Sequence, residues 1–258
     1  MPRLAANLSM MFNEVAFLDR FEAAAKAGFK GVEFLFPYEF SAAEIRTRLN
    51  DCGLTQVLFN APPGDWAGGE RGTASLPGRQ AEFRDGVKQA LEYAGVLGNT
   101  IVHCMAGIPK GVEPVTAAAI YANNLAWAAE EASKQGVKII IEPINQRDMP
   151  GFHLATQEQG AAVVDAIGFD KIGLQFDVYH CQIAQGDITK RMAKLMPVIS
   201  HMQIADVPAR NEPGTGEIGW KYVFAQMDAL GYQGWVGCEY RPAGDTVAGL
   251  GWRAAFGV

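Results

Sequence analysis

Paired cysteines are missing from this sequence. The four cysteines are scattered, and no two of them form a Cys-x-x-Cys pair; they are Cys52, Cys104, Cys181 and Cys238. Each lies in or beside an apolar segment, which favours reduced core cysteines over a disulfide framework, with one disulfide pair as the alternative. The distribution of cysteines therefore predicts a cytoplasmic protein.

Long apolar runs and an excess of basic charge are also absent. No window approaches the ~18 to 20 apolar residues of a membrane span, and the first residues, MPRLAANLSMMFNE, lack the pattern of a signal peptide. The chain has 22 Lys and Arg against 28 Asp and Glu, a formal net charge of -6. Because binding to phosphate needs clustered Lys and Arg, this balance argues against a nucleic-acid surface. We expect neither a membrane nor a nucleic-acid partner.

The chain is rich in apolar residues, which fall in two kinds of segment that alternate along the sequence. Of its 258 residues 49% are hydrophobic and 19% charged, the composition of a folded protein with a large core. Short apolar runs typical of buried strands alternate with segments in which apolar residues recur three and four apart, as in helices. The predicted strands are 4–9, 31–36, 54–60, 100–105, 137–142, 172–177, 201–206 and 235–240. The predicted helices include a segment that ends at Gly28 and segments 79–98, 115–136, 156–168 and 220–231.

Eight strand-helix units predict an α/β fold, a single (β/α)8 TIM barrel domain over residues 1–258. A doubly wound open sheet is the second choice. The longer loops follow the third, fifth and seventh strands, at the carboxyl ends where barrel enzymes place their active sites. We therefore expect the functional residues at that face.

Each of the last four predicted strands carries an oxygen-bearing side chain at or near its carboxyl end: Glu142, Asp177, Gln203 and Glu239. Neighbouring strand ends lie side by side around a barrel, so these side chains are expected to converge. Carboxylates at close range repel each other unless a cation lies between them or some of them are protonated. An all-oxygen set favours Mg²⁺ or Mn²⁺ over Zn²⁺. For any one acid, hydration or pairing with an arginine is the alternative.

Two histidines lie near this predicted site. His180 follows Asp177 by three residues, so it falls just above the barrel, where it could bind a substrate oxygen or orient a ligand. A packed or surface histidine is equally compatible with that position. His103, on the fourth strand, points either into the barrel mouth or towards the helices.

A small anionic substrate needs a cation, and two arginines are candidates. Arg210 begins the loop after the seventh strand, and Arg71 lies in the glycine-rich stretch GDWAGGERG. A solvated surface charge is the alternative for each. The glycine-rich stretch precedes no Lys-Ser or Lys-Thr, so it does not predict a nucleotide site. It suggests a mobile lid in which Trp66 excludes water from the substrate.

Nine phrases, ANLSMMF, GVEFLFPY, GDWAGGERG, IEPIN, PGFHL, DVYH, QIAD, NEPGTGEI and GWVGCEY, run from residue 6 to 241. Together they resemble the hydroxypyruvate isomerase family, within the xylose-isomerase-like barrel superfamily. The resemblance implies a metal held by the same four strand-end residues, with Glu142 and Glu239 as proton donor and acceptor. It also implies that His180 and Arg210 contact the substrate. Gln203 departs from the histidine of the related ketose epimerases.

The resemblance implies an intramolecular oxidoreductase that interconverts hydroxypyruvate and 2-hydroxy-3-oxopropanoate (tartronate semialdehyde) through an enediolate. Isomerisation of 2-oxo-tetronate and 3-epimerisation of a ketose are the alternatives within the superfamily. An abasic-site DNA endonuclease is the alternative from another class, but such a nuclease needs a histidine-rich site and a basic face, whereas this chain has 4 His and a negative net charge. Binding of a sugar acid without turnover is a further possibility. We expect a homo-oligomer, either a dimer or a tetramer.

Overall fold

The strands of this protein are apolar on both faces because each lies between the barrel interior and a layer of helices. In the computed structural model, which describes residues 2–258, Ile139, Ile140 and Ile141 are all completely buried. Ile140 belongs to a small cluster with Ala5, Val57 and Leu58 inside the barrel, whereas its two neighbours join the larger core between the sheet and the helices. This alternation explains the three consecutive isoleucines.

Eight parallel strands in chain order form a closed barrel, and β1 closes it by pairing with β8. The strands are β1 (Arg3–Asn7), β2 (Gly31–Glu33), β3 (Thr55–Asn60), β4 (Ile101–His103), β5 (Lys138–Ile141), β6 (Ile172–Asp177), β7 (Ile199–Ile204) and β8 (Trp235–Cys238). The predicted single (β/α)8 TIM barrel is confirmed.

Helices follow the strands around the outside of the barrel. They are α1 (Arg20–Lys26), α2 (Ala42–Cys52), α3 (Gln80–Leu97), α4 (Pro114–Ser133), α5 (Gln157–Ile167), α6 (Val178–Ala184), α7 (Ile188–Leu195), α8 (Trp220–Ala229), α9 (Thr246–Gly249) and α10 (Trp252–Phe256). Short 3₁₀ turns lie at Phe17–Asp19 and Met196–Val198. Local sequence sets the ends: Thr156 and Gln159 form a capping box before α5, and Gly98 ends α3 in a left-handed conformation.

Several predicted strands run past the observed carboxyl ends. The fifth and eighth strands stop one or two residues before the predicted ends, so Glu142 and Glu239 are the first residues after β5 and β8. Asp177 is the last residue of β6. These positions lift the three carboxylates to the rim of the barrel, at the face where the sequence predicts the site.

The four cysteines are free: three are buried and Cys52 is half-buried. None of the helices within residues 2–258 combines the length and the apolar character that crossing a bilayer requires.

Candidate active site

Glu142, Asp177 and Glu239 meet at the carboxyl end of the barrel, together with His180. One ligand atom from each of the four lies within 4.8 Å of the others. All four side chains are buried. The structure thus brings together the three acids that the sequence places at the ends of separate strands.

Burial and mutual repulsion raise the pKa values of these acids. Burial raises the pKa of Glu142 well above its ordinary value, and the charges of Glu239 and Asp177 raise it further. Burial also raises the pKa of Glu239 to about 8, against the opposing effect of Arg210. The pKa of Asp177 is raised by burial as well. A cation bound among these groups would favour their ionised forms.

Two oxygens of the cluster lack hydrogen-bond partners among the described residues. They are Oε1 of Glu142 and Oδ2 of Asp177, both fully buried. Buried carboxylate oxygens without donors are costly, and hard divalent cations prefer oxygens of this kind. The donor set therefore fits a divalent metal ion held by the three carboxylates.

The hydrogen bond between His180 and Asn145 leaves the imidazole proton facing this cluster. The Nδ1 of His180 lies 2.6 Å from the side-chain amide nitrogen of Asn145, whose oxygen accepts from the main chain of Asp148. Since the amide nitrogen donates to Nδ1, the proton of the neutral imidazole lies on Nε2. Nε2 is 3.8 Å from Oε1 of Glu142 and 3.7 Å from Oδ2 of Asp177. Burial lowers the pKa of His180 well below its usual range, so the ring is a neutral N–H donor.

Arg210 supplies positive charge next to the acids. Its Nη2 lies 2.5 Å from Glu239 and 3.5 Å from Asp177, and the guanidinium stacks 4.9 Å from the ring centroid of Tyr179. The residue has φ 59°, a left-handed conformation that is uncommon for arginine. Its amide donates to the carbonyl of Asp206, which holds this conformation in place.

Asp206 organises the loop that carries Arg210. Its buried carboxylate accepts hydrogen bonds from the amides of Val207, Gly214, Gly216 and Ile218. A Cβ at Gly216 would lie 1.9 Å from the carbonyl oxygen of Val207, so the loop closes too tightly for any side chain there. Sequence reasoning did not find Asp206.

Gln203 lies in a chain of buried hydrogen bonds beneath the acids. Its amide nitrogen donates to Glu33 Oε1 at 2.8 Å, and its amide oxygen accepts from Gln175. An amide oxygen has two lone pairs, so this arrangement is compatible with a cation contact at Gln203, which stays a prediction.

Glu33 anchors this chain, and sequence reasoning missed it. It is completely buried and also binds Asn7 at 3.0 Å and His201 at 2.8 Å. Its place in the chain resembles that of Asp177, because Glu33 is the last residue of β2 and Asp177 is the last residue of β6. Gln175 could be found by alternation too, since it precedes Asp177 by two residues and therefore faces the barrel interior.

A cavity of about 590 Å³ opens above the acids, and His103 and Trp66 line it. His103 Nδ1 lies 3.2 Å from Asn60 Oδ1, while its buried Nε2 has no partner among the described residues. Burial lowers the pKa of His103 to about 3, so the ring is neutral. His103 points into the barrel mouth, one of the two orientations expected from the sequence.

Arg71 does not lie with the residues that line the cavity. Its guanidinium stacks 3.9 Å from the ring centroid of Trp66 and donates to the carbonyls of Trp66 and Glu70. Trp66 packs in turn against Phe36, with ring centroids 5.0 Å apart. In this structure Arg71 braces the tryptophan, and its predicted contact with substrate stays a prediction.

The fold and the site define a (β/α)8 enzyme with an acidic cluster at its carboxyl end. Residues 21–256 match the family described as xylose isomerase-like TIM barrel, and the chain belongs to that family.

Comparisons with individual proteins narrow this class. The chain is 58% identical to 2-oxo-tetronate isomerase from Cupriavidus necator strain H16, over 99% of each chain. It is 47% identical to hydroxypyruvate isomerase from Escherichia coli K12, over 99% of this chain and 100% of the relative. Among solved structures, one described as AP endonuclease, family 2 from Brucella melitensis is 48% identical, with a TM-score of 0.97 and 99% of each chain covered. The chain is an enzyme of the isomerase class.

Proposed function

We propose that this protein interconverts hydroxypyruvate and 2-hydroxy-3-oxopropanoate by moving a proton between adjacent carbons. The observation that carries the proposal is the cluster of three buried carboxylates at the barrel mouth, two of whose oxygens accept no hydrogen bond from the described residues. The relative named hydroxypyruvate isomerase supports this substrate. Because the relative at 58% identity is named 2-oxo-tetronate isomerase, a four-carbon 2-oxo acid is the second candidate.

We propose a divalent ion, Mg²⁺ or Mn²⁺, at Glu142, Asp177 and Glu239, with Gln203 as a further oxygen donor. When bound, such an ion polarises the substrate carbonyl and stabilises the oxyanion that develops next to it. The oxygen-rich donor set supports a hard ion. The proton on Nε2 of His180 supports a role for that histidine as a donor to substrate and not as a ligand.

The two glutamates carry the proton transfer in this proposal. One glutamate, as the carboxylate, takes a proton from C3; the electrons of the C–H bond form the C2–C3 double bond, and the C2 carbonyl electrons move to the C2 oxygen to give an enediolate. The other glutamate, in its protonated form, gives a proton to C2. The proton of the C3 hydroxyl passes to the C2 oxygen, so that C3 becomes the aldehyde and C2 carries the new hydroxyl. The salt bridges support Glu142 as the first base, because Glu239 is paired with Arg210 and Glu142 makes no ion pair with a lysine or arginine among the described residues.

Two neutral imidazoles complete the proposed site. His180 Nε2 can donate to a substrate oxygen. The proton of His103 lies on Nδ1, which donates to Asn60 Oδ1, so its Nε2 can accept from a substrate hydroxyl. Arg210 opposes the negative charge of the enediolate. Trp66, which is 36% exposed at the mouth, excludes water from the reacting carbons.

We also propose that the partner of this site is a small 2-oxo or hydroxy acid in the cytoplasm, and that the protein forms a homo-oligomer. The net charge of -6 and a cavity of about 590 Å³ with acids at its base support a small ligand over nucleic acid.

Proton NMR with purified protein tests the proposal. Hydroxypyruvate, 2-oxo-tetronate and D-fructose are incubated separately with the protein and Mg²⁺ or Mn²⁺, and the same reactions are repeated with a chelator. Appearance of an aldehyde resonance from hydroxypyruvate, suppressed by the chelator, is the expected result. Turnover of 2-oxo-tetronate alone would select the second candidate. Turnover of neither acid would overturn the proposed function.

A further inference from the structure

Arg241, at the mouth of the cavity, is a cation for which sequence reasoning found no role. We propose that its guanidinium binds the carboxylate of the substrate and thereby selects 2-oxo acids over neutral sugars. This inference rests on the proposed function, since it assigns the charged end of the same substrate.

Within the described part of the chain, two cationic side chains line the cavity, Arg210 and Arg241. The charge of Arg210 is already shared between Glu239 and Asp177. Arg71 lies outside the lining, on the ring of Trp66. Arg241 is therefore the lining cation whose charge no acid neutralises.

The main chain of Arg241 is fixed while its side chain is free. The amide donates to the carbonyl of Arg210 at 2.8 Å, and the carbonyl accepts from the side chain of Asn211 at 2.7 Å. Pro242 follows and restricts the backbone further. The exposed guanidinium makes no hydrogen bond, ion pair or ring contact with any described residue. A guanidinium held in this way presents a planar pair of donors that matches a carboxylate.

The charge distribution in the cavity orients an anionic substrate. Glu142 and Glu239 line the cavity, and their charges are opposed by Arg210 and, in the proposed function, by the divalent ion. The unpaired positive charge of Arg241 lies at the mouth, so the carboxylate of the substrate should face the mouth. Glu14 is the acid at the mouth, and both of its oxygens accept from Thr246. Arg241 lies two residues after Glu239, so one loop supplies a carboxylate to the reacting carbons and a cation to the anionic end.

Three variants test the role of Arg241. R241M removes the charge, R241K keeps it without the planar fork, and R84M removes a charge from α3 on the outside of the barrel as the matched control. The kcat and KM for hydroxypyruvate are measured for each, with unfolding temperature as a check on folding. We expect R241M to raise KM about tenfold, R241K to raise it less, and R84M to leave it unchanged.

Binding of an unreactive ligand separates this inference from the proposed function. Glycerate has the three-carbon skeleton and one carboxylate, and glycerol replaces that carboxylate with a hydroxymethyl group. Calorimetry should show that R241M weakens glycerate binding about tenfold and leaves the weak binding of glycerol unchanged. If R241M weakens glycerate binding but the wild type turns over neither hydroxypyruvate nor 2-oxo-tetronate, the result would support carboxylate binding by Arg241 and refute the proposed isomerase activity. An unchanged Kd for glycerate and an unchanged KM in R241M would overturn the role of Arg241, even with wild-type turnover.

Discussion

Raising the pH should destabilise this protein when divalent ions are removed. Burial raises the pKa of Glu239 to about 8 in the folded chain, whereas an unfolded glutamate titrates near 4.3. Between these two pKa values the folded state binds more protons than the unfolded state. The contribution of Glu239 to the free energy of unfolding is therefore largest below the unfolded pKa and is lost as the pH rises through the folded pKa. Glu142, whose pKa is also raised, acts in the same direction.

The buried histidines define the window in which this effect can be measured. The pKa values of His103 and His180 are lowered by burial, so protonation of the unfolded chain below about pH 6.5 acts in the opposite direction. Above that pH these rings are neutral in both states. From pH 6.5 to 8, the titration of Glu239 alone lowers the free energy of unfolding by about 2 kcal/mol.

Urea unfolding at pH 6.5 and pH 8, in the presence of a chelator, measures this change. The matched variant E239Q keeps the shape of the side chain and cannot titrate, so its stability should vary less with pH. Added Mn²⁺ should stabilise the wild type more at pH 8 than at pH 6.5, because the ion favours ionised carboxylates. Equal stability of the chelated wild type at both pH values, or the same slope in E239Q, would refute this reasoning.

Two further substitutions test the surroundings of the acids. E33Q replaces a carboxylate that accepts from Asn7, His201 and Gln203 with an amide. Because an unpaired buried donor costs about 1 to 3 kcal/mol, urea unfolding should show a decrease of this size in the free energy of unfolding. Calorimetry should show weaker binding of Mn²⁺. Wild-type stability and wild-type Mn²⁺ affinity in E33Q would argue against the anchoring role. W66A should lower kcat for hydroxypyruvate while changing the free energy of unfolding by less than about 1 kcal/mol, because the side chain is exposed. Unchanged turnover would argue against a lid.

The barrel and its acids could be predicted from the sequence because both depend on local patterns. Consecutive apolar residues such as Ile139–Ile141 indicate a strand buried on both faces, and a carboxylate directly after such a strand marks its carboxyl end. The convergence of three carboxylates then follows from the closure of the barrel. The helix α2 is not among the predicted segments, since it buries only Ile45 and Leu49 and most of its other residues are polar or charged.

Other parts of the site depend on geometry that local patterns do not carry. The chain from Glu33 through Gln203 to Gln175 needs strand register and the direction of each side chain inside the barrel. The assignment of arginines needs loop conformation, which places Arg71 on Trp66 and brings Arg241 to the cavity. Neither the cis peptide before Pro208 nor the left-handed Arg210 has a signature in the sequence.

Deuterium exchange most directly tests the claim that Glu142 and Glu239 transfer protons to and from the substrate. Hydroxypyruvate is incubated in D₂O with the metal-loaded wild type, E142Q or E239Q, and NMR follows replacement of the C3 hydrogens. We predict exchange by the wild type and a loss of about 100-fold or more in at least one variant, the size of a general acid–base contribution. Exchange at the wild-type rate in both variants would contradict the claim.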